Sequence, residues 1–189
     1  PINGKTLLQR SLHSLGKLSP SKTIIVAGFK KELVINLSKT LNYKNLNFVV
    51  QKEQLGTGDA VKKAASSLDN KSIALIMNGD TPFVDEGTIN QALSQYRKTK
   101  SVFTIATTKP SSPFGYGRIL RDNDGQILDI VEEKDCDDKQ KLIKEVNAGL
   151  YLIATDYLKK FVKKIKKNKN SEYYLTDLVN IFVRNGLRV

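Results

Sequence analysis

TIIVAG, Thr23 to Gly28, and FVVQ, Phe48 to Gln51, bracket a stretch of helical periodicity at residues 31 to 41. How this strand–helix–strand unit is read decides the fold. TIIVAG is a β-branched apolar run closed by glycine, the composition of a strand buried on both faces of a parallel sheet. Upstream, KTLLQRSLHSL (Lys5 to Leu15) places Leu7, Leu8, Leu12 and Leu15 at helical spacing. Downstream the rhythm repeats. Thr57 or Asp59 can cap a helix running to about Leu68, and SIALIMNGD (Ser72 to Asp80) is a strand entering a loop. A helix follows at about 86 to 98, then the strand SVFTIATT, Ser101 to Thr108. This alternation predicts right-handed βαβ units and an α/β fold, a Rossmann-like, mainly parallel twisted sheet flanked by helices.

After Lys109 the pattern changes. RILRD and QILDIVEE read as a hairpin around DNDG, Asp122 to Gly125, and NAGLYLIA (Asn147 to Ala154) as a strand. LKKFVKKIKKNKN, Leu158 to Asn170, reads as an amphipathic helix, with Leu158, Phe161, Val162 and Ile165 on one face. A last helix is expected from about Tyr174 to Asn185, with Gly186 as its C′ residue. The economical organisation is one domain: a core at about 1–108, a small β-rich insertion at about 109–154 and closing helices at 155–189.

Composition removes several function classes. With one cysteine (Cys136) and one histidine (His13), an internal disulfide is impossible and no Cys/His metal cluster or Cys–His nucleophilic pair is expected. That usage fits a reducing, cytoplasmic setting. His13 is read as a solvated helix position. No run approaches the roughly 18 apolar residues of a membrane span. The net charge of +12 raises nucleic acid as a partner, but seven lysines fall in the 158–170 stretch alone, opposite its apolar face. No aromatic residues interleave with them as a single-strand binder requires, so a solvated helix face is the reading and no nucleic-acid partner is expected. The chain opens at Pro1 without an initiator Met and closes on LRV, which reads like the start of a strand; both ends are read as cut.

In an open sheet of this kind, ligands bind beyond the carboxyl ends of the strands. Gln51 to Gly58, Asn78-Gly79-Asp80 and Glu132 to Asp135 each follow a strand. EQLGTGDAV, Glu53 to Val61, lacks the GxxxxGK[ST] of a P-loop and the third glycine of GxGxxG. Asp80 could hold Mg²⁺ against a substrate phosphate or serve as a turn or cap aspartate. FGYGRI (Phe114 to Ile119), the acids of VEEKD and Asn147 each have a plain structural reading as bend, solvated strand end and turn residue. Their order along one sheet carries more weight than any of them singly.

Together, QKEQLGTGDAV, MNGDTP, FGYGRI, IVEEKD, EVNAGLY and EYYLTD resemble the bacterial N-acetylglucosamine-1-phosphate uridyltransferases in order and spacing, from INGKTLLQRSL to YYLTDLVNIF. The resemblance implies a sugar nucleotidyltransferase joining UTP and N-acetylglucosamine-1-phosphate into UDP-N-acetylglucosamine, for the peptidoglycan and lipopolysaccharide of the cell envelope. It implies that Gln51 and the Gly56-Thr57 turn recognise uracil, that Asn78 and Gly79 lie along the nucleotide, and that Asp80 is one of two protein ligands to a catalytic Mg²⁺. It also implies that Gly117, Glu132 and Asn147 contact the N-acetylglucosamine moiety and that Tyr174 walls its pocket. On that basis the first part binds nucleotide and the insertion binds sugar. Asn78 departs from the family pattern, which often has an aromatic residue before Gly-Asp. The family also carries an N-terminal LxAAGxGTRM-type triphosphate loop, a later metal-binding asparagine and a C-terminal β-helix through which trimers form. The sequence begins after that loop and ends before the last two, so these 189 residues alone are expected to show negligible uridyltransferase activity in a pyrophosphate-release assay. Other readings are a nucleotidyltransferase for another sugar or base, or a non-catalytic domain of the same fold.

Overall fold

The strand read at TIIVAG forms as β1 (Thr23–Ala27), and it pairs in parallel with β2 (Leu46–Val50) across the helix α2 (Lys31–Lys39). Thr23 faces Leu46 and Ala27 faces Val50 in the register. Only Ala27 of β1 is fully buried; the other four residues are half-buried, so this pair is less enclosed than its composition predicts. The computed structural model describes residues 3–81 and 84–189. Pro1 and Ile2, and Pro82 of the MNGDTP motif, therefore lie outside the described residues.

Before β1 lies α1 (Leu7–Lys17), opened by a capping box in which Thr6 and Gln9 satisfy each other's backbone N–H groups. His13 is exposed on it, as read from the sequence. The helix α3 (Thr57–Ala65) follows β2, and β3 (Ile73–Met77), α4 (Glu86–Thr99) and β4 (Phe103–Thr108) complete the first half. The hairpin β5 (Arg118–Arg121) and β6 (Ile127–Val131) turns at DNDG, where Asp122 Oδ1 accepts from the N–H groups of Asp124 and Gln126. A short helix α5 (Asp138–Lys141) leads to β7 (Val146–Ala154), then α6 (Thr155–Phe161) and α7 (Asp177–Arg184).

The Rossmann-like α/β architecture forms, but in place of the one mainly parallel sheet expected the described residues make two, a parallel pair β1–β2 and a five-stranded sheet in the order β3–β7–β5–β6 with β4 also paired to β7. Among the described residues one pairing is parallel and four are antiparallel. β3 and β4 both run antiparallel to β7 and hence parallel to each other. Alternating strands and helices could not reveal this, because β7 arrives after the hairpin and inserts between strands that are consecutive in sequence. β7 is buried along most of its length and supplies Leu150, Tyr151, Leu152 and Ile153 to the interior. Phe103 stacks on Tyr151 with centroids 5.7 Å apart and meets Phe182 edge-on at the same distance. Phe161 meets Phe182 at 5.2 Å. Such pairs add about 0.5–1.5 kcal/mol each beyond area burial, and these tie β4, β7, α6 and α7 into one core.

Two helices differ from expectation. The lysine-rich helix stops at Phe161, passes through a 3-10 turn at Val162–Lys164 and continues without regular structure. Leu158, Phe161, Val162 and Ile165 are nonetheless all buried. Lysines at i, i+3 and i, i+4 repel along the missing turns, and docking of Ile165 replaces helix propagation. The last helix starts at Asp177 rather than Tyr174, since Leu175 donates its N–H outward to Thr57. Its end follows the sequence. Gly186 (φ +66) donates to Val183 O and Leu187 to Phe182 O, the paired bonds of a Schellman ending. Leu187 to Val189 form no strand, although Val102 donates its N–H to Arg188 O.

Candidate active site

The loop after β2 turns on Gly56, whose φ of +94° and ψ of 176° make it the N-cap of α3. Thr57 and Asp59, the caps expected from sequence, do other work. The Thr57 hydroxyl accepts from Leu175 N at 3.0 Å. Asp59 is 7% exposed and accepts from Gln51 Nε2 at 2.8 Å and from Lys63. Gln51, itself 9% exposed, also donates to Gly56 O at 3.1 Å. Burial pushes the Asp59 carboxyl up, but the hydrogen bonds of Lys63 and Gln51 and the charges of Lys63 and Lys62 outweigh it and leave Asp59 below its ordinary value.

A strip at 173–176, irregular and then a turn leading into α7, is laced to this loop. Tyr173 N donates to Leu55 O, and Gly58 N to Tyr173 O, both at 2.8 Å. Beyond Leu175, the Thr176 hydroxyl, 3% exposed, donates to Glu132 Oε1 at 2.8 Å. The strip therefore joins the residues predicted for uracil to those predicted for the sugar. Gly117 is buried directly before β5, and a Cβ there would lie 3.3 Å from Glu132 Oε2. Gly117 O accepts from Asn147 N at 2.9 Å. Thus Gly117, Glu132 and Asn147 come together, from three different strand ends.

Asn147 owes its position to an irregularity in the β4–β7 ladder between Ile105 and Thr107. Two residues on β4 there span four on β7, a bulge of the kind that re-aims side chains. Within it, Gly149 takes φ +73° and donates to Asn147 Oδ1 at 3.0 Å, an Asx turn. Asn147 Nδ2 donates to the Tyr151 hydroxyl at 2.6 Å. That phenol is pushed up to about 12, chiefly by burial. Asn78 is half-buried at the end of β3 and donates its N–H to Gly149 O at 3.2 Å. Gly79 and Asp80 are exposed just beyond, and Asp80 has no polar partner among the described residues.

Tyr174 and Glu132 line a cavity of about 450 Å³ with Asp129, Asp135, Asp177 and Arg184; Gly117 and Asn147 are not among its lining residues. Burial raises the Glu132 carboxyl, with the Thr176 hydrogen bond offsetting part of the rise. Asp177, at the first position of α7, is pushed up to about 6 by burial and then by Asp129, Glu132 and Asp135. Its folded form holds a proton to higher pH than its unfolded form. Its stabilisation is therefore complete below the ordinary Asp value and is lost as pH rises towards 6. The favourable helix N-terminus offsets about 0.3–1 kcal/mol of this. Asp177→Asn is accordingly expected to raise the melting temperature at pH 7.5 by about 2–4 °C, a net gain of about 1 kcal/mol, and to leave it unchanged near pH 4. Melting curves across pH check this; an equal shift at both pH values sinks it.

Three contributors escaped the sequence reading. Thr176 and Tyr151 sit inside quoted motifs, but their role appears only through a partner far along the chain. Arg118, 2% exposed, pairs with Glu133 at 2.7 Å and donates to Tyr116 O, while Glu133 also accepts from Gly115 N. This pair fixes the FGYGRI bend ahead of Gly117, and the available signal was an arginine and a glutamate at facing strand ends.

The whole chain, residues 1–189, matches the model of the family described as "Nucleotidyl transferase". It is 40% identical over 184 residues to a "Probable UDP-N-acetylglucosamine pyrophosphorylase" of Acanthamoeba polyphaga mimivirus, covering 96% of this chain and 72% of that one. It is 39% identical to the "Bifunctional protein GlmU" of Streptococcus mutans, over 96% of this chain and 39% of the relative, and 36% identical to that of Desulfotalea psychrophila, over 100% and 56%. The chain thus spans less than two thirds of these two longer relatives. Among solved structures, UDP-glucose pyrophosphorylase with UDP-glucose superposes with a TM-score of 0.77 at 19% identity, over 100% of this chain and 78% of that one. A putative glucose-1-phosphate thymidylyltransferase of Bacillus anthracis gives 0.78 at 17%, over 99% and 74%. These two matches speak to the fold. With its full length matched and a 40%-identical relative covered over most of its own length, this chain belongs to the nucleotidyl transferase family.

Proposed function

We propose that this domain serves, within the full-length protein, to form UDP-N-acetylglucosamine from UTP and N-acetylglucosamine-1-phosphate, releasing pyrophosphate, as a step towards cell-envelope precursors. One observation carries the reading: hydrogen bonds link Gln51 to the Gly56 turn, that turn to the 173–176 strip and the strip to Glu132, and Glu132 lies against Gly117, whose carbonyl accepts from Asn147. The names of the 36–40% identical relatives support the same substrates.

In this reading a phosphate oxygen of the sugar phosphate attacks the α-phosphorus of UTP. A new P–O bond forms, the α–β bridge breaks, and pyrophosphate leaves in line with its electron pair. No covalent enzyme intermediate is needed, so the protein contributes position and charge. Gln51, Gly56 and Thr57 would hold the base, Asn78 and Gly79 the nucleotide, and Gly117, Glu132, Asn147 and Tyr174 the sugar. Mg²⁺ takes oxygen ligands, retains waters and uses one or two carboxylates plus substrate phosphates. Asp80, exposed and unpartnered among the described residues, fits as such a carboxylate, and no group of three metal-ligating side chains among the described residues could form an all-protein cage. Bound there, the ion would neutralise charge on the reacting phosphates. No described helix is long and apolar enough to cross a membrane.

A thermal-shift panel on the full-length protein tests the reading. UDP-N-acetylglucosamine is expected to stabilise the protein by about 2.7 kcal/mol at a hundredfold excess over Kd, and UDP-glucose, dTDP-glucose and GDP-mannose at the same concentration by less. A larger shift with any of the other three would reassign the sugar or the base.

A further inference from the structure

The Gln51 side chain is buried with a defined orientation. Gly56 O and the Asp59 carboxylate can only accept, and each takes a hydrogen from Nε2, at 3.1 and 2.8 Å. Reversing the carboxamide would set its oxygen against a carbonyl and a buried carboxylate of the same turn. Lys63 pairs with the same Asp59 oxygen and holds it in place. Both hydrogens of Nε2 are thereby spent inside the protein. Gln51 Oε1 accepts nothing among the described residues, yet it is not among the buried atoms left without a partner, so it reaches the surface of the turn.

We propose that Asp59 is the positioning residue of the nucleobase subsite, holding the Gln51 carboxamide so that only its acceptor faces the base and the subsite demands an N–H donor there. The inference rests on the nucleotide-binding reading above and names its base selectivity. Uracil and thymine offer an imide N3–H, which Oε1 can accept. Cytosine presents a lone pair at N3, which Oε1 would repel. Asp59 touches no ligand itself. It acts by removing the alternative in which Gln51 turns over and donates.

The test compares UTP, CTP and N3-methyl-UTP binding by calorimetry on the full-length protein. The wild type is expected to prefer UTP over both others at least tenfold. Asp59→Leu removes the acceptor and should bring the UTP/CTP ratio to within about threefold of unity. Asp59→Asn retains an oxygen that can accept from Gln51 and should restore the preference. A merely structural role would weaken all three ligands alike in Asp59→Leu and leave the ratio intact, which overturns the proposal. A wild type with no UTP preference would instead overturn the uridine reading itself, a different result. If Asp59→Leu does not fold, the Gln51 side-chain amide of ¹⁵N-labelled wild type decides. Nε2 protons that exchange with solvent far more slowly than those of an exposed glutamine amide support the lock, and exchange as fast as in an exposed amide overturns it.

Discussion

Gly56→Ala is expected to destabilise the domain by about 3 kcal/mol or more and to weaken uridine-nucleotide binding at least tenfold. Two costs add. The backbone at φ +94°, ψ 176° lies in a region that is essentially glycine-only, and forcing another residue there costs about 1–3 kcal/mol. An added Cβ would also stand 2.5 Å from Tyr173 O and 3.1 Å from Tyr173 N. These are backbone atoms, and a rotamer change cannot relieve them. The strip at 173–176 would have to retreat, breaking the bonds of Tyr173 to Leu55 and Gly58 and of Leu175 to Thr57. Because that strip also carries Thr176 to Glu132, the damage should reach the sugar side as well. Gly79→Ala is the control, since nothing lies within 4 Å of its Cβ position and its φ is not positive; it should change stability by no more than about 0.5 kcal/mol. Urea unfolding with the slope compared, plus calorimetric titration, separates the two. A Gly56→Ala protein as stable as Gly79→Ala would refute the argument.

The contrast between those glycines shows what the sequence could and could not disclose. EQLGTGDAV was legible as a turn between a strand and a helix, because glycines and an apolar run are local signals. Its role as the point where a strip from 117 residues later crosses the loop was not, since the contact of Gly56 with Tyr173 leaves no trace at either position. The same holds for β7. Its strand character was plain in NAGLYLIA, while its place between β3 and β4 depends on pairing, which composition does not encode. The lysine stretch was legible in which residues it buries and misleading in its length, because docking replaced the last helical turns. Candidate site residues were picked at strand ends by an α/β rule, and the structure sets them at such ends: Gln51 and Asn78 follow β2 and β3, and Glu132 follows β6. Partners that act across the chain, Thr176 and Arg118 above all, became visible only in three dimensions.

Thr176 and Glu132 give the second large effect, and the two residues should fail differently. Thr176→Val keeps the volume of a side chain that is 3% exposed but withdraws the described donor to a carboxylate that burial already pushes up. Leaving a buried acceptor unsatisfied costs about 1–3 kcal/mol, more for a charged group. The Glu132 carboxyl should then rise further, so the deficit is largest at pH 8 and shrinks as pH falls and the group protonates. Glu132→Gln retains an oxygen that can accept from Thr176 and relieves the cost of burying charge, so its stability at pH 8 should equal or exceed the wild type. It gives up the charge-assisted bonds to sugar hydroxyls that the proposed role requires, each about twice as strong as a neutral one. UDP-N-acetylglucosamine affinity is therefore expected to fall about 10–100-fold, or about 1.4–2.8 kcal/mol, while UMP, which lacks the sugar, should bind within about threefold of wild type. Loss of both ligands together would place Glu132 outside the sugar site and make its bond to Thr176 purely structural.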